Sequence, residues 1–334
     1  MQQITLQILA IFGMIGLGIF VERRHWFPRE FSAHLSKLMI NIFYPCLLFS
    51  AILQKYTLDK IIDDWVMPVG AAGIVLIGWT IGSFAKRTLM GRMKAPTRRA
   101  FHFTCAMNNY SFLPIMIIAG TSLGKTGVAL VALTTIASDT LMWTLGFSTL
   151  TGQRVHWKDL PKMCLRPPVM ALILAVFGLL VCALLSTLTP WKITNETLLS
   201  NAYSALLLNT LYNYIGGATI PTSAIICGMC LGRMKLNGIF SMLQFKTTLF
   251  RMVLIPAITV TLIALIPGLS EAQRFVFALI ALMPGAMGGV SIAEVYGGDT
   301  PFVSAMILNT HTLCILTIPL GLWILSLFTN LPTL

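Results

Sequence analysis

The sequence predicts an all-α polytopic membrane protein: ten transmembrane helices as two inverted five-helix repeats, the fourth and ninth helices broken. Three observations carry that expectation. Of 334 residues, 56% are hydrophobic and 10% charged, with a mean hydropathy of +0.82; soluble domains are about a quarter charged. Apolar runs near the ~20 residues needed to cross ~30 Å of hydrocarbon recur along the chain. Lys and Arg concentrate in alternate connections, as the positive-inside rule requires.

Taken in order, the first span covers residues 4–21. Glu22-Arg23-Arg24 follows it and no basic region precedes it, so it is not read as a cleaved signal. The second, 32–53, carries Asn41 and Tyr44-Pro45, and the third is 66–85. The fourth, 98–121, begins with Arg98-Arg99 and is apolar enough to enter a bilayer, but reads Asn108-Asn109-Tyr110-Ser111-Phe112-Leu113-Pro114 in the middle. Two carboxamides, a phenol and a hydroxyl near the midplane are costly unless they line a cavity. Pro114 has no N–H and clashes with the carbonyl four residues back, which interrupts the ladder there. Asn and Ser are natural caps for a restarting helix. A proline-kinked helix whose amides only bond its neighbours is the plainer alternative.

The fifth span, 125–150, has Asp139 in its middle. A polar connection, 151–168, with Arg154, Lys158, Lys162 and Arg166, separates the first repeat (1–150) from the second (169–334). Spans follow at 169–188, at about 206–231 with Gly216-Gly217 and Pro221, and at 247–266 with Pro256. The last two are 273–296 and 301–328. Connections after the first, third, fifth and seventh spans, with their flanks, hold 18 Lys and Arg; the other side holds 5. Both termini are therefore expected outside and the central connection in the cytoplasm. The net charge of +12 is a topology signal and calls for no nucleic-acid partner.

Five spans per half means the second copy enters the membrane upside down. Tyr44-Pro45 in the second span is matched by Ile220-Pro221 in the seventh. The break of the fourth is matched by Met283-Pro284-Gly285-Ala286-Met287-Gly288-Gly289-Val290-Ser291 in the ninth, a poor helix interior. Paired irregular helices in corresponding positions point to a transporter site.

These residues also carry a resemblance. Asn109-x-x-Phe112, Ile220-Pro221 with Gly228 and Leu231-Gly232, and Met283-Pro284 followed by Ala293-Glu294-x-Tyr296-Gly297-Gly298-Asp299 resemble the auxin efflux carrier family. The resemblance covers essentially the whole chain. That family includes plant PIN-type carriers and bacterial permeases for malonate, malate and similar acids. It implies that helices four and nine cross at their breaks, and that a dimer-forming scaffold part accompanies a transport part, which makes a homodimer an expectation. Asn108-Asn109 stands where Gly-Asn is more usual, and the short central connection favours a bacterial-type carrier in the inner membrane.

The residues expected to contact substrate are Asn108, Asn109, Tyr110, Ser111, Pro114, Pro284, Gly285, Gly288, Gly289 and Ser291. Asp139, about 20 Å deep at 1.5 Å per residue, is the candidate to carry a coupling proton, or else a bonded structural carboxyl. His311, 27 residues after Pro284, is a relay candidate or a hydrogen-bonded neutral imidazole. Asn41, Pro45, Pro221 and Glu294 are assigned to gating or structure, and Asn209 and Asn213 to the cavity or to interhelical bonds. No buried Lys or Arg is evident, so an anion would be recognised by amide N–H groups and the positive ends of half-helices.

The expectation is a secondary carrier of a small mono- or dicarboxylate working by alternating access. It has no cofactor beyond a coupled H⁺ or Na⁺ and no metal. A sodium-coupled organic-anion symporter of the bile-acid type, and a receptor or structural membrane protein, are the alternatives. An enzyme is not expected: no catalytic constellation or nucleotide-binding loop is present in the sequence. The seven cysteines are scattered, nearly all in apolar segments, and Cys227-x-x-Cys230 has no His or charge near it, so reduced thiols are expected.

Overall fold

A computed structural model describes residues 2–28, 30–154, 158, 167–188, 202–233 and 241–328. Among these, all regular structure is helical apart from one isolated β-bridge. Seven continuous helices are long and apolar enough to cross a membrane. In chain order the main helices are α1 (Gln2–Arg23), α2 (Phe31–Gln54), α3 (Val66–Thr88), α4 (Ala95–Ala106), α5 (Phe112–Ala119), α6 (Gly124–Thr151) and α7 (Pro167–Leu188). They continue with α8 (Tyr203–Arg233), α9 (Met242–Leu265), α10 (Glu271–Leu282), α11 (Gly288–Tyr296) and α12 (Thr300–Phe328). Every expected span coincides with one of these, or with a pair of them, to within about five residues.

Several spans are locally widened for a chemical reason. π-helical turns at Met39–Phe43 and Phe250–Leu254 each end two residues before a proline, Pro45 and Pro256. Proline removes one donor from the ladder and crowds the preceding turn. The Tyr44 and Ile255 N–H groups instead bond the carbonyls of Met39 and Phe250, five residues back. In α8 a π turn at Leu211–Ile215 runs into a 3₁₀ turn at Gly216–Ala218 ahead of Pro221. A fourth, Met142–Gly146 in α6, has no proline; π bulges of this kind recur at functional sites.

Helix α1 packs along α8, and α2 packs against α7 and α6. The α1–α8 crossing is close because both partners are glycine: a Cβ on Gly228 would lie 2.8 Å from the Gly18 Cα. Small residues let helix backbones approach in a bilayer, where apolar burial against lipid gains nothing. At the end of the same pair, Arg233 grips Glu22 with a two-pronged ion pair of 2.6 and 3.0 Å. Helix α7 turns Leu174, Phe177, Leu180 and Leu184 outward, an apolar face suited to lipid. Helices α3, α4 and α6 form a second group, and α10 packs with α9 and α12. All six described cysteines are free thiols.

Candidate transport site

The fourth and ninth spans are both broken, and the two breaks lie against each other. Helix α4 ends at Ala106, Met107–Ser111 is non-helical, and α5 begins at Phe112. Pro114 therefore sits in the first turn of α5, not at the interruption. There its missing N–H has no helical acceptor to lose, and the carbonyl it cannot serve is that of Tyr110, inside the break. Ser111 holds the N-cap position of α5 but makes no side-chain cap bond, contrary to its expected capping role. In the ninth span α10 ends at Leu282, and 283–287 is non-helical up to α11.

Backbone groups released by each break are satisfied by the other. Asn108 and Gly285 form an antiparallel bridge. The Asn109 N–H donates to the Pro284 carbonyl at 2.8 Å, and the Ala286 N–H to the Met107 carbonyl at 3.0 Å. The Gly285 N–H donates to Thr310 Oγ1 of α12 at 3.2 Å. At membrane depth such internal pairing is what makes irregular backbone tenable.

The expectation that no Lys or Arg is buried is wrong. Arg251 is completely buried in the π turn of α9 and points at the crossing. Its Nε donates to the Thr104 carbonyl at 2.7 Å; one Nη donates to Asn108 Oδ1 at 2.5 Å and to the Met283 carbonyl at 3.2 Å. Thr104 and Met283 belong to the C-terminal ends of α4 and α10, where the helix dipole is negative. The guanidinium thus neutralises both ends at once. It also fixes Asn108, whose Nδ2 donates to the Ile280 carbonyl at 2.8 Å. Both polar atoms of that amide are committed to protein.

On the other side of the bridge lies a cavity of about 310 Å³. It is walled by the first break, the start of α11, and parts of α2, α6 and α8. Asn108, Asn109, Tyr110, Ser111, Asp139 and Gly288 all line it. The N-terminal ends of α5 (Phe112, Leu113) and α11 (Gly288) face it, so two positive dipole ends share one space. Tyr110 donates its hydroxyl to Asp139 Oδ1 at 2.5 Å. The Tyr44 ring packs on Phe112 at 5.1 Å. No Lys or Arg lines the cavity.

The other expected site residues fall elsewhere. Pro114, Pro284, Gly285 and Gly289 are buried and do not line it. Gly289 is needed for packing: a Cβ there would meet the Phe103 ring of α4 at 3.0 Å or less. His311 is buried in α12 away from the cavity, with Nδ1 bonding the Ile307 carbonyl of its own helix at 2.8 Å. The imidazole does not line the cavity. Asn41, Pro45 and Pro221 do not line the cavity, and Asn209 and Asn213 are exposed on α8. The side chains of Ser291 and Glu294 lie outside the described residues.

The cavity lies toward the end of the bundle where α2 and α7 begin and α6 and α8 finish. The opposite end is latched. Lys125, at the start of α6, donates to Gln54 Oε1 at 2.8 Å, and Gln54 donates to the Leu208 carbonyl of α8 at 3.0 Å. The Lys125 ammonium also sits 4.6 Å from the centre of the Tyr212 ring.

Many apolar helices, with two spans broken where they meet beside a cavity lined by several polar side chains, define a multi-pass membrane protein. The family model described as "Membrane transport protein" matches residues 3–158 and 153–323, and the chain belongs to that family, the one that contains the auxin efflux carriers. It is a family of transporters, not of enzymes. Two Arabidopsis thaliana proteins are similar over shorter stretches. Protein PIN-LIKES 5 is 29% identical over 116 residues, 34% of this chain and 28% of that protein. Protein PIN-LIKES 2 is 35% identical over 69 residues, 21% of this chain and 15% of that protein.

Proposed function

We propose that the chain is a secondary carrier of a small organic anion, a mono- or dicarboxylate, built as ten helices in two inverted repeats. The observation that carries this reading is the meeting of two half-helix N-termini and the Asn109 amide in one cavity. Those ends attract negative charge, and the amide N–H₂ can donate to a carboxylate oxygen. The matching negative ends of α4 and α10 are already occupied by Arg251. That guanidinium stands where freed carbonyls would otherwise invite a metal cation, which favours a sodium-independent carrier over the bile-acid-type symporter.

With the basic connections placed in the cytoplasm, the cavity is the inward-open half of an alternating-access cycle. The Lys125–Gln54–Leu208 latch then closes the outer side and must part when the carrier turns outward. Asp139 shares the cavity wall with the anion site and accepts the Tyr110 hydroxyl, which makes it the carboxyl placed to carry a coupled proton.

Counterflow of small mono- and dicarboxylates by the purified protein in proteoliposomes tests the reading. Exchange should occur for at least one such acid and should persist when choline replaces sodium. Failure of every acid would sink the anion reading, and strict sodium dependence would restore the symporter. Asp139→Asn should keep substrate-for-substrate exchange and lose pH-driven accumulation. Accumulation with an unchanged pH profile would make Asp139 structural.

A further inference from the structure

A second cavity of about 490 Å³ lies at the basic end of the bundle and shares no lining residue with the transport cavity. It is formed by the end of α3, the start of α4 and the last turns of α6. Lys86, Arg87, Arg98 and Arg99 all line it, and no Asp or Glu does. The one ion pair among the described residues is Arg233–Glu22, so none of these four cations has a carboxylate partner there. The first turn of α4 contains no acidic residue and its N-cap, Lys94, makes no side-chain cap bond. The Asp299 carboxylate accepts from Thr97 in that turn but does not line the cavity, where the positive dipole end adds to the field of the four cations.

The floor of this cavity is built, not incidental. His102 is buried, and its Nε2 lies 2.8 Å from the Trp79 carbonyl, so Nε2 carries the proton. Nδ1 is then the acceptor for the Lys86 ammonium at 3.3 Å, which holds that cation at the cavity wall. Trp79 Nε1 donates in turn to Thr149 Oγ1 at 3.1 Å. Arg99 Nε is buried with no partner. Four cations converging without an acid repel one another. A ligand with two or more negative charges would relieve that repulsion and supply the missing acceptors.

We infer that this cavity binds a phosphate-bearing polyanion. Basic pockets between membrane helices on the cytoplasmic side suit phospholipid headgroups. Phe84, two residues before Lys86 on α3, is 72% exposed and offers an acyl chain an apolar side chain on the same helix. A soluble polyphosphate would present the same chemistry. Either occupant would tie α4 to α3 and α6, the helices around the first break and Asp139.

Native mass spectrometry of the delipidated full-length protein, titrated with cardiolipin, phosphatidylglycerol, phosphatidylcholine or pyrophosphate, tests this. Cardiolipin or phosphatidylglycerol should bind, and phosphatidylcholine should not. At about 1 kcal/mol per cation, each charge removed should weaken binding about fivefold. Arg98→Gln with Arg99→Gln should therefore cost at least tenfold. Arg23→Gln with Arg24→Gln, a charge-matched pair at the end of α1, should leave binding unchanged. If the double variant does not fold, Lys86→Gln is read the same way, against an expected fivefold. Pyrophosphate binding with the same dependence on Arg98 and Arg99, without lipid binding, would assign the site to a soluble anion. Equal losses in both double variants, equal binding of phosphatidylcholine, or an unaffected pocket variant would each overturn the inference.

Discussion

The two breaks meet at one β-bridge yet differ in kind. The first, Met107–Ser111, places Asn108, Asn109, Tyr110 and Ser111 in succession. The second, Met283–Met287, has no polar side chain: it contributes the Pro284 carbonyl, two N–H groups and close packing room. The backbone event occurs at both breaks, the polar side chains at one. The first break should therefore be sensitive to side-chain identity and the second to volume and backbone partners. Arg251 is the exception that serves both, holding one carbonyl beside each break and the Asn108 amide.

The largest effect is expected at that shared residue. Arg251→Met leaves the Thr104 and Met283 carbonyls and Asn108 Oδ1 buried without this donor. Each buried unserved group costs about 1–3 kcal/mol, partly offset because a charge no longer has to be buried. A net loss on the order of 3 kcal/mol and no transport should follow, with Arg251→Lys intermediate because an ammonium lacks the fork. Thermal melting and uptake measure both. A variant as stable as the parent would show that the guanidinium does not tie the breaks. Next comes Asn108→Ala, confined to the first break. It removes one acceptor from an Arg251 Nη that keeps the Met283 carbonyl, and one of two donors from the Ile280 carbonyl, which keeps the Met283 N–H, and should cost about 1–2 kcal/mol. Transport should fall in step with stability, because both polar atoms of the amide already bond protein.

Asn109 separates the two roles within the same break. Its backbone N–H completes the bridge, while its side chain lines the cavity. Asn109→Ala keeps the first and removes the second. A charge-assisted bond to a carboxylate contributes roughly 1.5–3 kcal/mol, so affinity should weaken at least about tenfold with little change in melting temperature. Unchanged affinity would move the binding site away from this break.

The spans and both breaks were legible because an apolar run of fixed length, and polar or glycine-proline residues inside it, are one-dimensional signals. Arg251 was not, and the reason is a boundary. A start at residue 247 puts Arg251 in the flank of a basic loop, whereas α9 starts at Met242 and carries it nine residues inward. An arginine between Phe250 and Met252-Val253-Leu254-Ile255 was the available clue. The division of labour between Asn108 and Asn109 was beyond sequence, since neighbours about 100° apart on a helix say nothing about an extended break. Gly289 read as a ligand residue because glycine marks close approach without naming what approaches; here it is the Phe103 ring.

The smallest expected effect lies in the second break, and it tests the comparison from the weak side. The Gly285 N–H is buried, and its acceptor is Thr310 Oγ1 at 3.2 Å. The same hydroxyl donates to the Met306 carbonyl of its own helix at 2.7 Å. Thr310→Val keeps the shape and removes only the acceptor. The Met306 carbonyl can retain its helical partner, so the loss is one long hydrogen bond, about 1 kcal/mol. Thr310→Ser keeps the hydroxyl and should melt close to the parent. Substrate affinity should not change in either, because Thr310 does not line the cavity. A loss from Thr310→Val as large as that from Asn108→Ala would mean that the second break depends on side chains as heavily as the first, and the asymmetry between them would fall.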